Sequence, residues 1–493
     1  MRKILIRTTA VLGGVLALTI GYVWFEFQPP ASMQAAATAE VTLAGVTIVN
    51  PTQQRLENQR LSLNGDVIQR IEAAGDDPDL GEETARYRGA FVLPGLIDMH
   101  THLPPDTPLN MTAYACFLYL AHGVTSIRDT GDVDSTAVPA ARRGIENGDF
   151  PGPRIFACGP FVGGAPPRWA NTLLIEKPGD ASAAVALIKE AGYDCIKAYD
   201  ELSLEQIRAV KAAGEQYGLP VLGHVPAALG YEEALLPEVQ HLLGVPEPQN
   251  LARDHIVNRL TDWDEVDSTR LDLIVETTLE HGIVNTPTLV LTHQLLRYLD
   301  YQDALTDPTI RLAPRLFREV VWHPEEGLPV YRNISQADLA RLGRAYEKKK
   351  ELVRRLHEAD APLLIGTDVP QPFVVQGASV HQEMRLFNEI GMTPEEVWAI
   401  ATWKAGRALG QPMLGTIQEG APADLLIFRE DPTQDLEALN TLEAVIAQGR
   451  LYSREEIEAK TAAYQAHFDG VVFDAISVAL TRQVMRDTIK RDF

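Results

Sequence analysis

The chain has 493 residues, 45% of them hydrophobic, enough to bury a large core and long enough for more than one domain. A formal net charge of −23, with no basic block set against it, argues against nucleic acid as a partner. Cys116, Cys158 and Cys195 are too few and too scattered for a disulfide framework or a zinc knuckle, and are expected to be small buried hydrophobes. The chain opens with "MRKILIR", which carries cations and no acid, followed by an uncharged apolar stretch over residues 8–25. That length suits a membrane span and is long for the core of a signal peptide. Small residues suited to cleavage come late, in "AAATA" (35–39), so an uncleaved anchor is expected ahead of a cleaved signal. In both cases the basic flank stays in the cytoplasm and the remainder is exported, to the periplasmic side of a cell envelope. Residues 1–37 thus form an anchor or signal segment and a linker.

Two β-type runs follow, "VTLAGVTIVNP" and "LSLNGDVIQRIEA", and similar material returns in "ADLLIFRED" and "LEAVIAQGRLY". Between these outer blocks (38–90 and 411–455) lie eight further β runs: "FVLPGLIDMHTH", "GVTSIRDTG", "RIFACGP", "DCIKAYD", "PVLGHVP", "VQHLLG", "IVNTPTLV" and "PLLIGTDVP". Amphipathic stretches such as "SLEQIRAVKAAGEQYG" separate several of them, as crossover helices would. Eight strands alternating with helices over 91–410 predict a (β/α)8 TIM barrel, whose sites lie at the C-terminal strand ends. The long connection 291–361 is expected to cover that end. Residues 456–493 read as a helical extension packed on the body.

The polar residues at the strand ends carry the chemistry. His100 and His102 stand at i and i+2 and face one side of an extended strand. Strands five, six and eight end in His224, His241 and Asp368, and strand four carries Lys197 inside an apolar run. A barrel interior would not desolvate so many polar groups without a ligand, and neutral imidazoles with a carboxylate suit zinc or a similar divalent ion. Period-2 alternation puts Lys197 on the face opposite Asp194 and Asp200. Burial near metal ions favours a neutral amine there, able to add CO2 and become a bridging carbamate. An ion pair with Asp194 or Asp200 is the competing reading.

The motifs "PGLIDMHTH", "GVTSIRD", "IKAYD", "GHVP", "VQHL", "IGTD", "GASVHQEM" and "GTIQEGAPADLLIF" resemble, in order, the metal-dependent amidohydrolase superfamily in its imidazolonepropionase-like or prolidase-like branch. The resemblance implies a barrel plus a small β-sandwich made from both chain ends, and two divalent ions, with Zn2+ the expected metal. It implies that His100 and His102 hold one ion and His224 and His241 the other, that a carbamate on Lys197 bridges them, and that Asp368 is both ligand and proton shuttle. Many relatives carry a histidine in the loop after strand three. Here that loop reads "GPFVGGAPPRWAN", so oxyanion stabilisation falls to a metal alone, to Tyr199 or to His293. Arg168 and Trp169 are expected to line the pocket, and His381 matches a family position near the site. His122, His255, His281, His323, His357 and His467 are expected to be structural or surface residues.

The function so implied is hydrolysis of an amide, cyclic amide or dipeptide C–N bond in a small molecule. A metal-bridging hydroxide would attack, and Asp368 would move the proton to the leaving nitrogen. The alternatives are an esterase or lactonase using the same centre, or a catalytically dead, membrane-tethered binding module. The sequence leaves the oligomeric state open, a homo-oligomer among the options.

Overall fold

The run "FVLPGLIDMHTH" forms two strands rather than one. In the computed structural model of the chain, Phe91–Pro94 joins the sheet built from the two chain ends, and Leu96–Thr101 begins a parallel ladder. Gly95 makes the break: a Cβ there would stand 1.9 Å from Thr125 Oγ1, so only glycine lets the chain pass between the two sheets. The structure describes every residue except 1, 30–33, 37–39, 76–85, 106, 108, 249–255, 333 and 492–493, and the side chains at 2–12, 15, 256–258 and 487–491. The expectation for His255 therefore lies outside the described residues.

The end sheet has seven strands, in the spatial order Arg450–Ser453, Leu442–Ala447, Leu425–Phe428, Phe91–Pro94, Thr42–Asn50, Gln54–Asn64, Val67–Ala73. Only the Thr42–Asn50/Phe91–Pro94 pair is parallel. The sheet's last strand is also tied to the segment before Leu425–Phe428, because Ile68 donates to the Ala421 carbonyl at 2.9 Å and accepts from Gly420 at 2.8 Å. Leu43, Val46, Ile48, Leu61, Ile68, Leu425, Ile427 and Ile446 pack together in the sheet's interior.

The central region is mixed α/β. Leu96–Thr101, Val124–Asp129 and Arg154–Ala157 form a three-stranded parallel ladder. Val284–Thr286, Glu238–Gln240, Val221–Gly223, Ile196–Ala198, Phe161–Gly163 and Thr172–Leu174 form a six-stranded one. The ladders do not run into one continuous sheet. At one seam the Asp194 N–H donates to the Ala157 carbonyl at 2.7 Å. At the other the expected eighth strand, "PLLIGTDVP", lies between Val284–Thr286 and Leu96–Thr101, with Leu364 donating to Asn285 and Met99 to Ile365, both at 2.9 Å. It is not a regular strand because Thr367 and Asp368 both donate to the His100 carbonyl, at 3.0 and 2.8 Å, a two-to-one count that interrupts a ladder.

Helices follow the strands where the apolar period predicts them. Leu204–Tyr217 starts at Ser203, whose hydroxyl accepts from Gln206, and buries Ile207, Val210, Ala213 and Gly214 on one face before ending at Gly218. "IVNTPTLV" is strand only over Val284–Thr286, after which Leu289–Leu295 is helical. The 291–361 connection holds short helical turns and the long helix Gln336–Glu358. The tail forms two helices, Arg454–Phe468 and Val471–Arg491, the first packing Tyr464 and Phe468 on Tyr114.

The apolar N-terminal stretch lies in the helix Arg2–Glu26, and Phe27 just beyond it packs on Phe473 with tilted rings whose centres are 4.8 Å apart. Among the described residues no helix is long and apolar enough to cross a membrane. The cysteine expectation is corrected: Cys158 and Cys195 form a disulfide, and only Cys116 is a free, buried thiol. The two half-cystines stand at the ends of neighbouring strands across the first seam, an adjacency that exists only once the sheets are assembled.

Candidate metal centre

Four imidazoles converge above the strands. His100 and His102 come from one strand with ring centres 5.5 Å apart, His241 lies 4.5 Å from His100, and His224 lies 5.0 Å from His241. Asp368 sits among them, with Oδ1 3.3 Å from His100 Nε2 and 3.4 Å from His102 Nε2, and Oδ2 3.9 Å from His241 Nε2. One ligand atom each from His100, His102 and Asp368 falls within 4.8 Å of the others, a group able to hold a metal ion. Gly223 makes room for this approach. Its φ is +151°, and a Cβ there would stand 2.1 Å from the Ala198 carbonyl oxygen, one residue before His224.

Every imidazole is held by its other nitrogen. Nδ1 of His102 donates to the Gly131 carbonyl at 3.1 Å, and Nδ1 of His224 donates to Asp200 Oδ1 at 2.8 Å. Nδ1 of His241 shares a hydrogen bond with Thr288 Oγ1 at 2.7 Å, and that of His100 one with Gln240 Oε1. The Gln240 amide is oriented in turn, because its NH2 donates to Glu238, which is paired with Arg128. A proton fixed on Nδ1 leaves the Nε2 lone pair for a metal.

The electrostatics favour neutral ligands around one anion. Burial lowers the His100 imidazole to about 3 and His224 to about 4, and takes His241 well below its ordinary value. Burial alone would raise the Asp368 carboxyl, but His241, His100 and His102 outweigh it and hold the group well below the usual carboxylate range. Lys197 is 1% exposed, and its Nζ has no hydrogen-bond partner among the described residues. Burial brings the amine down to about 7 against the opposing pull of Asp368. An orphaned buried amine among converging Nε2 atoms and a carboxylate fits a metal site and has no evident purpose in a dry core.

A model of the amidohydrolase family matches residues 91–452. The chain belongs to the amidohydrolase family. An uncharacterized protein of Mycobacterium tuberculosis is 24% identical over 394 residues, covering 76% of this chain and 89% of its own length. Among solved structures, bottromycin amidohydrolase has a TM-score of 0.67 at 22% identity and covers 87% of this chain and 90% of its own. A Xaa-Pro dipeptidase with bound methionine has a TM-score of 0.61 at 18% identity and covers 84% of this chain and 100% of its own.

In this amidohydrolase the other sequence-predicted residues separate into two groups. Tyr199 is in the cluster, stacked on His224 at 4.4 Å, with its oxygen accepting from Trp169 Nε1 at 2.8 Å. Arg168 is beside it, with Nε 3.4 Å from Asp200 Oδ2. His293 is elsewhere, on the helix Leu289–Leu295, with its ring against Tyr346. His381 donates from Nε2 to the His122 carbonyl at 2.7 Å and packs on the His122 ring. The His293 ring thus packs on Tyr346 and the His381 ring on His122, outside the group formed by His100, His102, His224 and His241.

The acids flanking Lys197 have partners of their own. Asp194 pairs with Arg142 at 2.6 Å, while Asp200 is taken by His224 and Arg259. Sequence reasoning missed Asp200, Gln240 and Thr288 as partners of the ligand histidines. Asp200 closes the quoted motif "IKAYD" and offered a signal; the other two offered none. It also missed Tyr331, whose hydroxyl donates to Gln371 at 2.8 Å and whose phenol is kept protonated by burial and by the charge of Asp368.

Proposed function

We propose that this amidohydrolase is a metal-dependent hydrolase of C–N bonds in small molecules, acting on an amide, cyclic amide or dipeptide bond. The observation that carries the reading is the convergence of the histidine Nε2 atoms on Asp368 around the unpartnered Lys197 amine. His100, His102 and Asp368 would hold one zinc, His224 and His241 a second, and Lys197, as its carbamate, would bridge them. Such ions supply an activated water and polarise the scissile carbonyl.

The protein's own residues do the rest. Asp368 is ionised and stands between the Nε2 atoms of His100 and His102, so it takes a proton from the attacking water and returns it to the departing nitrogen. Tyr199 stays a phenol because burial raises its pKa far above neutrality, and Trp169 already occupies an acceptor site on its oxygen. Its hydroxyl proton is free to donate to the oxygen that gains charge in the transition state. The similarity to bottromycin amidohydrolase and to a Xaa-Pro dipeptidase supports amide and dipeptide substrates.

The reading includes a (β/α)8 barrel whose two parallel ladders are joined through the 363–369 segment and the Cys158–Cys195 seam, with the end sheet as a small β-sandwich domain. It places the protein on the exported side of a membrane, tethered or released through residues 1–37. The disulfide supports this, since disulfides persist mainly in oxidising compartments. The test is turnover of a library of N-acyl amino acids and dipeptides by the zinc-loaded full chain. Hydrolysis of members of that library supports the proposal. Turnover confined to esters and lactones overturns the C–N assignment.

A further inference from the structure

The motif "GASVHQEM" drew notice for His381, yet the residue in it that connects to the metal centre is Glu383. Glu383 is fully buried, on the helix Ala378–Glu389, and makes no ion pair among the described residues. Its Oε1 accepts the Leu289 N–H at 2.8 Å and its Oε2 the Val290 N–H at 2.6 Å. These are the two amides that follow Thr288. Thr288 is itself buried, with φ at +48°, in a left-handed region that a β-branched residue avoids. Its side-chain oxygen meets His241 Nδ1 at 2.7 Å, and His241 also has a positive φ, +61°. Two strained residues in contact mark a place where surrounding structure over-determines the backbone, and such places cluster at functional sites.

We propose that Glu383 is a positioning residue: by clamping the two amides after Thr288, it presents the Thr288 hydroxyl as acceptor to His241 Nδ1 and so turns His241 Nε2 toward the metal centre. The proposal rests on the reading of His241 as a metal ligand. Without the clamp the Thr288 backbone relaxes out of the left-handed region, the hydroxyl withdraws, and the imidazole is free to rotate or to change tautomer. A carboxylate is the group for this, because its two oxygens accept two neighbouring N–H groups at once.

The test uses the full chain with 15N-labelled histidine. In the metal-free protein, NMR of the His241 ring, assigned by its loss in His241→Gln, is expected to show a single tautomer with the proton on Nδ1. Thr288→Val and Glu383→Gln are expected to convert it to a mixture, whereas Thr288→Ser, which keeps the hydroxyl, is expected to retain it. Zinc titration of the same variants is expected to show the second ion bound about tenfold more weakly or worse in Thr288→Val and Glu383→Gln, and unchanged in Thr288→Ser. An unaltered His241 tautomer in Glu383→Gln overturns the proposal, and so does a proton on Nε2 in the wild type. A protein with the expected tautomer that takes up no zinc contradicts the metal-centre reading and leaves the positioning role standing.

Discussion

Two lysines in this protein are buried almost completely, Lys197 at 1% exposure and Lys349 at 2%, and burial brings both amines down to about 7. Around Lys197 stand Asp368, Arg128, Asp200 and Glu238, all of which act on its charge, and His100, His102 and His241, whose Nε2 atoms face Asp368. Around Lys349, on the helix Gln336–Glu358, there is one hydroxyl, Thr292 Oγ1 at 3.3 Å, and the Trp263 ring at 5.6 Å. A depressed lysine pKa is therefore no mark of function by itself. The company of convergent ligands makes the difference, and the two sites are expected to respond oppositely to substitution.

The largest contrast is in metal and activity. Lys197→Ala is expected to lose bound metal and amide turnover together, by more than about a hundredfold, while Lys349→Met keeps both, as read by elemental analysis and initial rates. If Lys197 acts as a carbamate, metal-free protein reloads faster with bicarbonate than when stripped of CO2, and a bare ammonium would show no such dependence. Next comes Asp368→Asn, expected to keep much of its metal and to lower kcat by about 10²–10⁴-fold, because an amide cannot take up and return a proton.

Stability gives the middle of the range. Reducing Cys158–Cys195, which closes a loop with a sequence separation of 37, is expected to cost about 4 kcal/mol in a urea unfolding experiment. Lys349→Met is expected to stabilise the protein in a pH-dependent way. A lysine whose folded pKa is about 7, below its ordinary 10.5, leaves the unfolded state holding more protons between those values. Stability of the parent thus rises with pH across that window, and the full penalty is present below it. The methionine variant removes that slope and gains most near pH 7, on the order of a few kcal/mol, which urea midpoints at pH about 7 and about 10 would detect. The smallest effect is expected from deleting residues 1–26, which contribute no ligand: turnover by the truncated chain should match that of the full one.

The candidate ligands were legible because each stands where the local sequence pattern marks it. His100 and His102 share a face by a spacing of two, Lys197 stands inside an apolar run, and His224, His241 and Asp368 each follow a short apolar run. What was not legible depends on adjacency between distant segments. Cys158 and Cys195 become neighbours only across a seam between two ladders. His381 and Glu383 are two apart on a helix and so face different ways, and only the fold decides that Glu383 faces Thr288. His293 read as a strand-end residue because "IVNTPTLV" is apolar and β-rich; Thr288 turns left-handed there and the chain becomes helical. The double contact of Thr367 and Asp368 with the His100 carbonyl likewise has no sequence signature, and it is why the eighth run is not a regular strand.

The central claim is that the converging histidines, Lys197 and Asp368 make a metal-dependent C–N hydrolase. The most direct measurement is amide hydrolysis by the full chain before chelation, after chelation, and after titration with zinc, with bound metal counted at each point. Activity should vanish on chelation and return in step with zinc, reaching its maximum at two ions per chain. Undiminished amide hydrolysis by the fully stripped protein would contradict the account.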